Sequence, residues 1–246
     1  MNDVIRVEEH ESRVVATLNR PEKKNAIDQA TIDALHALCQ RLEDDPKTLI
    51  LTGAGGTFAA GADIAQLRER GAKEALEGIN TRAFMRVREL PMPVIAVVDG
   101  FALGGGAELA YSADIRIGTP TTKFGNPETG LGILAGAGAS WRLREIVGEA
   151  LAAEVLLTGR ILEADECLAA GLITHLDEPE AALQRAHSLA DRIAKLSAAA
   201  TQATKRAFMA PRDAHPAIDL EEQAVLFESE DKRQRMTAFL ERKAKR

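Results

Sequence analysis

Pro93-Val94-Ile95-Ala96-Val97-Val98-Asp99-Gly100-Phe101-Ala102-Leu103-Gly104-Gly105-Gly106-Ala107-Glu108-Leu109 is the stretch on which the fold turns. Val94 to Val98 form an unbroken, largely β-branched apolar run, the pattern of a strand covered on both faces. Beyond it, three adjacent glycines open a helix. Inside a helix they would cost about 2 to 3 kcal/mol relative to alanine, so a compensating role is expected. One such role is a helix N-terminus whose free N–H groups face a bound oxygen, with the macrodipole adding to the pull and Glu108 about one turn away. Close packing against another backbone is the structural alternative.

The same grammar recurs upstream. Thr48-Leu49-Ile50-Leu51-Thr52 reads as a second buried strand, followed through Gly53-Ala54-Gly55-Gly56 by Phe58-Ala59-Ala60-Gly61-Ala62-Asp63-Ile64. Small residues at the carboxyl end of a buried strand are where open α/β sheets place ligands. An equally good reading is a tight strand-to-helix connection with Asp63 as an N-terminal helix residue. Before it, Val4 to Val7 and Val14 to Leu18 flank a polar turn and predict a hairpin. Ile32, Leu35, Cys39 and Leu42 mark one apolar helical stripe, capped by Asp28. Strand and helix alternating in this way imply right-handed crossovers and a mostly parallel sheet. Past Ser197 the strand signals stop, and Ala198 to Ala210, Pro216 to Ser229 and Arg233 to Lys243 read as helices. Residues 1–196 are therefore expected to form an α/β core, and residues 197–246 a helical layer serving as a lid or an oligomerisation surface.

The 246 residues are 46% hydrophobic and 28% charged, as in an ordinary globular protein. A formal net charge of −6 disfavours a generic nucleic-acid binder. Two cysteines give no disulfide framework. Neither a signal-peptide pattern nor an apolar run long enough to cross a membrane is seen, which makes the cytoplasm the expected location. The last residues, Asp231 to Arg246, hold seven Lys or Arg: Lys232, Arg233, Arg235, Arg242, Lys243, Lys245 and Arg246. These predict either a solvated helix face or contacts to an anion.

Thr122-Lys123-Phe124-Gly125-Asn126-Pro127-Glu128 places a second carboxylate on a loop pinned by proline. A Pro-Glu pair by itself is usually a helix start; its interest here comes from Glu108. Gly130-Leu131-Gly132-Ile133-Leu134-Ala135 matches G-x-G-x-x-A, yet lacks the preceding strand of a dinucleotide site. His10, His36, His175, His187 and His215 are scattered without metal-ligand spacing, and no nucleophile elbow or phosphate loop is present. Trp141 and Tyr111 read as core or interface groups. What is left for chemistry is backbone N–H groups and two acids.

Taken in order, the motifs resemble those of the enoyl-CoA hydratase/isomerase family, the crotonases, across nearly the whole chain. They are Leu18-Asn19-Arg20-Pro21 with Asn25-Ala26, Phe58 to Ile64, Pro93 to Leu109, Phe124 to Leu143, Leu157-Thr158-Gly159, Ala169-Ala170-Gly171-Leu172 and Met236-Thr237-Ala238-Phe239-Leu240. The resemblance implies a crotonase-like spiral of ββα units, followed by C-terminal helices that assemble trimers or, by pairing trimers, hexamers. It also implies an oxyanion hole for a thioester carbonyl made by the backbone N–H groups of Ala62 and Gly105. Ala60, Gly61, Ala62, Asp63, Ile64 and Gly104 would border coenzyme A or the substrate, and Glu108 and Glu128 would be the two acids of a hydratase. Ala135 and Ser140-Trp141 stand where many hydratases of the family carry Pro and Thr-Gln, and bulky Trp141 bears on the trimer contact or the acyl pocket.

The implied activity is addition of water across the 2,3 double bond of an enoyl-CoA, giving a 3-hydroxyacyl-CoA in fatty-acid metabolism. Two acids in one dry site split their proton affinities, so that one holds a proton while the other is ionised. No metal or cofactor is expected, coenzyme A being part of the substrate. The expected partners are the acyl-CoA thioester and further copies of the chain, with no membrane and no nucleic acid. A double-bond isomerase using one acid is the nearest alternative, and a non-catalytic acyl-CoA- or RNA-binding relative is another. Lys232, Arg233 or Lys243 is expected near the phosphates of coenzyme A.

Overall fold

The structure, a computed structural model, describes residues 4–244. β1 (Ile5–Glu9) and β2 (Arg13–Leu18) form the expected hairpin, antiparallel with Ile5 opposite Leu18. α1 (Gln29–Asp44) follows, with the Asp28 carboxylate accepting from the Thr31 amide at 2.9 Å as its cap. It lays Ile32, Leu35, Leu38, Cys39 and Leu42 into the core. Burial pushes the Cys39 thiol up to about 12, so it packs as an inert apolar group.

β3 (Thr48–Gly53) comes next, then three helices, α2 (Ile64–Arg68), α3 (Ala72–Glu77) and α4 (Ile79–Arg88), before β4 (Val94–Val98). β5 (Phe101–Leu103), α5 (Gly105–Ser112), β6 (Ile115–Gly118) and β7 (Lys123–Gly125) follow. A 3₁₀ turn at Pro127–Leu131 leads to α6 (Ala139–Val147), α7 (Glu149–Thr158), β8 (Ile161–Glu163), α8 (Ala164–Ala169), β9 (His175–Leu176) and α9 (Pro179–Ala194).

Two sheets result. The larger runs β1-β2-β3-β4-β6-β9, and every pairing after the hairpin is parallel. Its central strands are covered on both faces: Leu49, Ile50 and Leu51, like Val94, Ile95 and Ala96, have no exposed surface. The smaller sheet, β5-β7-β8, corrects the sequence reading in two places. Phe101 to Leu103 is a strand of its own rather than a lead into the helix, and Lys123 to Gly125 is a strand rather than loop. Only Glu128 and its neighbours lie in the turn.

The chain divides into two compact units between Leu189 and Ala190, within α9. The second continues through α10 (Ala198–Met209), α11 (Ala217–Phe227) and α12 (Glu230–Ala244), the three helices expected. No residue of α11 is buried. None of the helices among the described residues is long and apolar enough to cross a membrane.

Candidate active site

Backbone pairing delivers both glycine-rich segments to one place. The Ala59 amide donates to Phe101 O at 2.9 Å and the Leu103 amide to Ala59 O at 3.0 Å, so Phe58-Ala59 runs beside β5. On the other side the Ile27 amide donates to Gly61 O at 2.8 Å, and the Asp63 amide to Ile27 O at 2.9 Å. Between these fixed points the Ala62 amide finds no acceptor among the described residues. Asn25 supports the arrangement from below. It is buried at a φ of 54°, a conformation asparagine tolerates, and its Nδ2 donates to Ala54 O and Thr57 O at 2.9 and 2.6 Å.

α5 begins at Gly105 beside this segment. A Cβ at Gly105 would lie 3.5 Å from the Ala62 nitrogen, and the Gly105 amide, first in its helix, likewise has no acceptor among the described residues. The two amides singled out from the sequence are therefore neighbours, both free to donate. The packing alternative holds as well, on a different glycine: a Cβ at Gly106 would meet Ala59 O at 2.2 Å. Gly104, at a φ of 51°, would bring a Cβ to 3.0 Å from Glu128 Oε1. The triplet thus serves as helix start, close approach and access to an acid at once.

Glu108 and Glu128 come together around Gly104. The Glu108 amide donates to Gly104 O at 3.0 Å. Its carboxylate is buried, with Oε1 accepting from the Ala137 and Ala139 amides at 2.7 and 3.1 Å. Burial raises its proton affinity and the charge of Glu128 raises it further, against the two amides; the outcome is a pKa of about 7. Glu128 sits in the 3₁₀ turn after Pro127, also buried and also raised above the ordinary carboxylate range by desolvation. Its Oε2 has no hydrogen-bond partner among the described residues. An orphan buried carboxyl oxygen is costly unless a ligand or water completes it.

Asn126 and Tyr111 join the site only through the fold. Tyr111 Oη donates to Asn126 Oδ1 at 3.1 Å, which turns Asn126 Nδ2 toward Gly104 O and Glu128 Oε1, each at 3.5 Å. The one available signal was that Asn126 directly precedes Pro127-Glu128. The Ala137 and Ala139 amides were equally hidden, since a backbone donor carries no letter of its own.

The remaining candidates divide. Asp63 caps α2, accepting from the Ala65 and Gln66 amides at 3.1 and 3.2 Å, while Ala60, Gly61 and Ile64 flank the free Ala62 amide. Gly130 and Leu131 lie in the 3₁₀ turn and Gly132 ends it, so the G-x-G-x-x-A match has no strand-to-helix junction. Among the described residues no group of three or more His, Cys, Asp or Glu could hold a metal ion. In the basic tail, Lys232 Nζ donates to Phe227 O at 3.0 Å, and Arg233 lies 3.8 Å from both Glu228 and Glu230. Lys243 is exposed, and Lys245 and Arg246 lie outside the described residues.

Comparison with known proteins gives concordant results. The sequence pattern described as Enoyl-CoA hydratase/isomerase matches residues 8–246. A short-chain-enoyl-CoA hydratase of Clostridium acetobutylicum is 38% identical over 99% of this chain and 96% of its own length. A crotonyl-CoA hydratase of Syntrophomonas wolfei is 36% identical over 96% and 95%. Among solved structures, an enoyl-CoA hydratase from Bacillus anthracis superposes with a TM-score of 0.90 at 28% identity, covering 97% of this chain and 96% of that one. One from Thermoplasma volcanium gives 0.87 at 31%, covering 96% and 97%.

Proposed function

This chain belongs to the enoyl-CoA hydratase/isomerase family, and from that starting point we propose that it adds water across the 2,3 double bond of an enoyl-CoA to give a 3-hydroxyacyl-CoA. The observation that carries the reading is the pairing of two buried acids of raised proton affinity, Glu108 and Glu128, with two unpaired amides, Ala62 and Gly105, around one glycine turn.

The thioester carbonyl oxygen accepts from the Ala62 and Gly105 amides, with coenzyme A bordered by Ala60 to Ile64 and Gly104. The water oxygen bonds to Cβ while its proton passes to Glu108. The alkene electron pair moves toward the carbonyl, whose oxygen gathers charge between the amides and beside the positive end of α5. Collapse of that enolate takes a proton onto Cα from Glu128, whose Oε2 is otherwise unpartnered. The proton has then changed sides within the pair, and exchange between the two acids resets the site; their titration belongs to the pair first. The reading needs no metal, because each amide supplies about 10²- to 10³-fold and each proton transfer about 10²- to 10⁴-fold.

Assembly as a trimer or a pair of trimers through the helices of residues 197–246, a cytoplasmic location and a place in fatty-acid metabolism belong to the same proposal. The net charge of −6 speaks against a nucleic-acid partner.

The test is to replace each acid separately, Glu108→Gln and Glu128→Gln, and follow loss of the conjugated thioester's absorbance. Either change should lower kcat by about 10²- to 10⁴-fold with a smaller effect on KM. Hydration that survives loss of Glu108, while isomerisation dies with Glu128, would reassign the enzyme as an isomerase.

A further inference from the structure

Asn80, the second residue of α4, brings a side-chain amide to the two free main-chain ones. A Cβ at Gly105 would lie 3.5 Å from Asn80 Nδ2, the same distance as from the Ala62 nitrogen. Donors from three separate segments therefore border one spot. The Asn80 side chain is half-buried, and its helix is anchored beside the acids: Thr81 Oγ1 donates to Gly136 O at 3.0 Å, directly before the Ala137 amide that holds Glu108.

Arg70 decides which end of the Asn80 amide faces the site. Its Nη1 donates to Asn80 Oδ1 at 3.1 Å. A guanidinium has donors only, so the amide oxygen must face it and the NH₂ group must point away. Nδ2 has no acceptor among the described residues, and Gly78, the N-cap of α4, takes no side-chain hydrogen bond. Arg70 starts from a fixed main chain. Its own amide donates to Leu67 O at 3.2 Å, and the next amide, of Gly71, donates to Glu74 Oε2 at 2.9 Å. It has no carboxylate partner among the described residues. Its charge therefore polarises the Asn80 amide and strengthens Nδ2–H as a donor.

A carbonyl oxygen has two lone pairs, which the Ala62 and Gly105 amides fill. An enolate oxygen has a third. We infer that Asn80 Nδ2 is a third donor to the thioester oxygen as it becomes an enolate oxygen, with Arg70 as its positioning residue. The inference rests on the oxyanion role given above to the Ala62 and Gly105 amides. A contact that strengthens only as charge develops acts on kcat rather than on KM.

The experiment combines steady-state hydration of an enoyl-CoA with a binding measurement that needs no hydration. The second probe is acetoacetyl-CoA, whose bound enolate is read by its near-ultraviolet absorbance. Asn80→Ala should lower kcat at least about ten-fold, change KM by less than about three-fold, and lower the bound enolate-to-keto ratio by about ten-fold. Adding Arg70→Ala to Asn80→Ala should cost nothing further, because Arg70 acts through Asn80. An undiminished kcat, a change confined to KM, or a fall in kcat with an unchanged enolate ratio would each overturn the inference. A wild type that hydrates no enoyl-CoA, while its bound enolate still falls with Asn80→Ala, would overturn the hydratase reading and leave the inference standing. Should Asn80→Ala not fold, the isosteric Asn80→Asp decides: it keeps the contact to Arg70, puts an acceptor where the donor was, and should fall at least as far in both measurements.

Discussion

Glu108 sits in two opposed surroundings: two amides favour its ionised form, while burial and the neighbouring acid favour its protonated form and prevail, leaving it at about 7. A folded-state pKa above the unfolded one means that the native state holds the proton longer. The stabilisation from that proton is complete below the unfolded value, near 4.5, and is lost as pH rises through about 7. Glu108→Gln, which keeps an oxygen for the Ala137 and Ala139 amides, should therefore be more stable than wild type at pH 8 by about 1 to 3 kcal/mol. The difference should vanish at acid pH. Urea titrations at the two pH values check this, and equal midpoints at pH 8 would refute it. At this scale Glu108 and Glu128 were readable as candidates through the ordered motifs. The partners that tune them were not: Asn126 and Tyr111 lie 15 residues apart, and their contact exists only once α5 and β7 are in place.

Among the elements, α5 carries the most constraint per residue. All eight of its residues are buried, and Gly106 faces the Ala59 carbonyl so closely that a methyl group would overlap it. That carbonyl already accepts from the Leu103 amide, so it cannot withdraw without breaking a bond. Gly106→Ala should lower stability by about 2 kcal/mol or more and depress kcat through displacement of Gly105; denaturation midpoints at constant m-value and steady-state rates would show both. A variant of wild-type stability would show that the segment at Ala59 yields freely. The long elements were readable because their apolar periods repeat: α1 with its Asp28 cap, β3, β4 and the C-terminal helices. β5, β7 and β8 span three residues each, too few for a period of two to declare itself. They exist because β5 pairs with β7 and β7 with β8.

For the molecule as a whole, the second unit shows what a single chain leaves undone. Phe208, Leu220, Val225, Phe239 and Leu240 are between 61% and 72% exposed, more large apolar surface than helices of an isolated monomer ordinarily present. Under the proposed assembly, joint replacement Phe239→Glu and Leu240→Glu should shift the protein to its monomer mass in sedimentation velocity, and an unchanged mass would overturn the placing of the interface on these helices. The helices themselves were legible in the sequence; what covers them was not, because their apolar residues give a face without naming its counterpart. One consequence follows for α11, which buries none of its residues within its own chain. If copies of the chain supply the missing cover, mass action governs how firmly that helix holds. Its melting temperature then rises with protein concentration, and a dilute assay and a concentrated stock contain differently stable material.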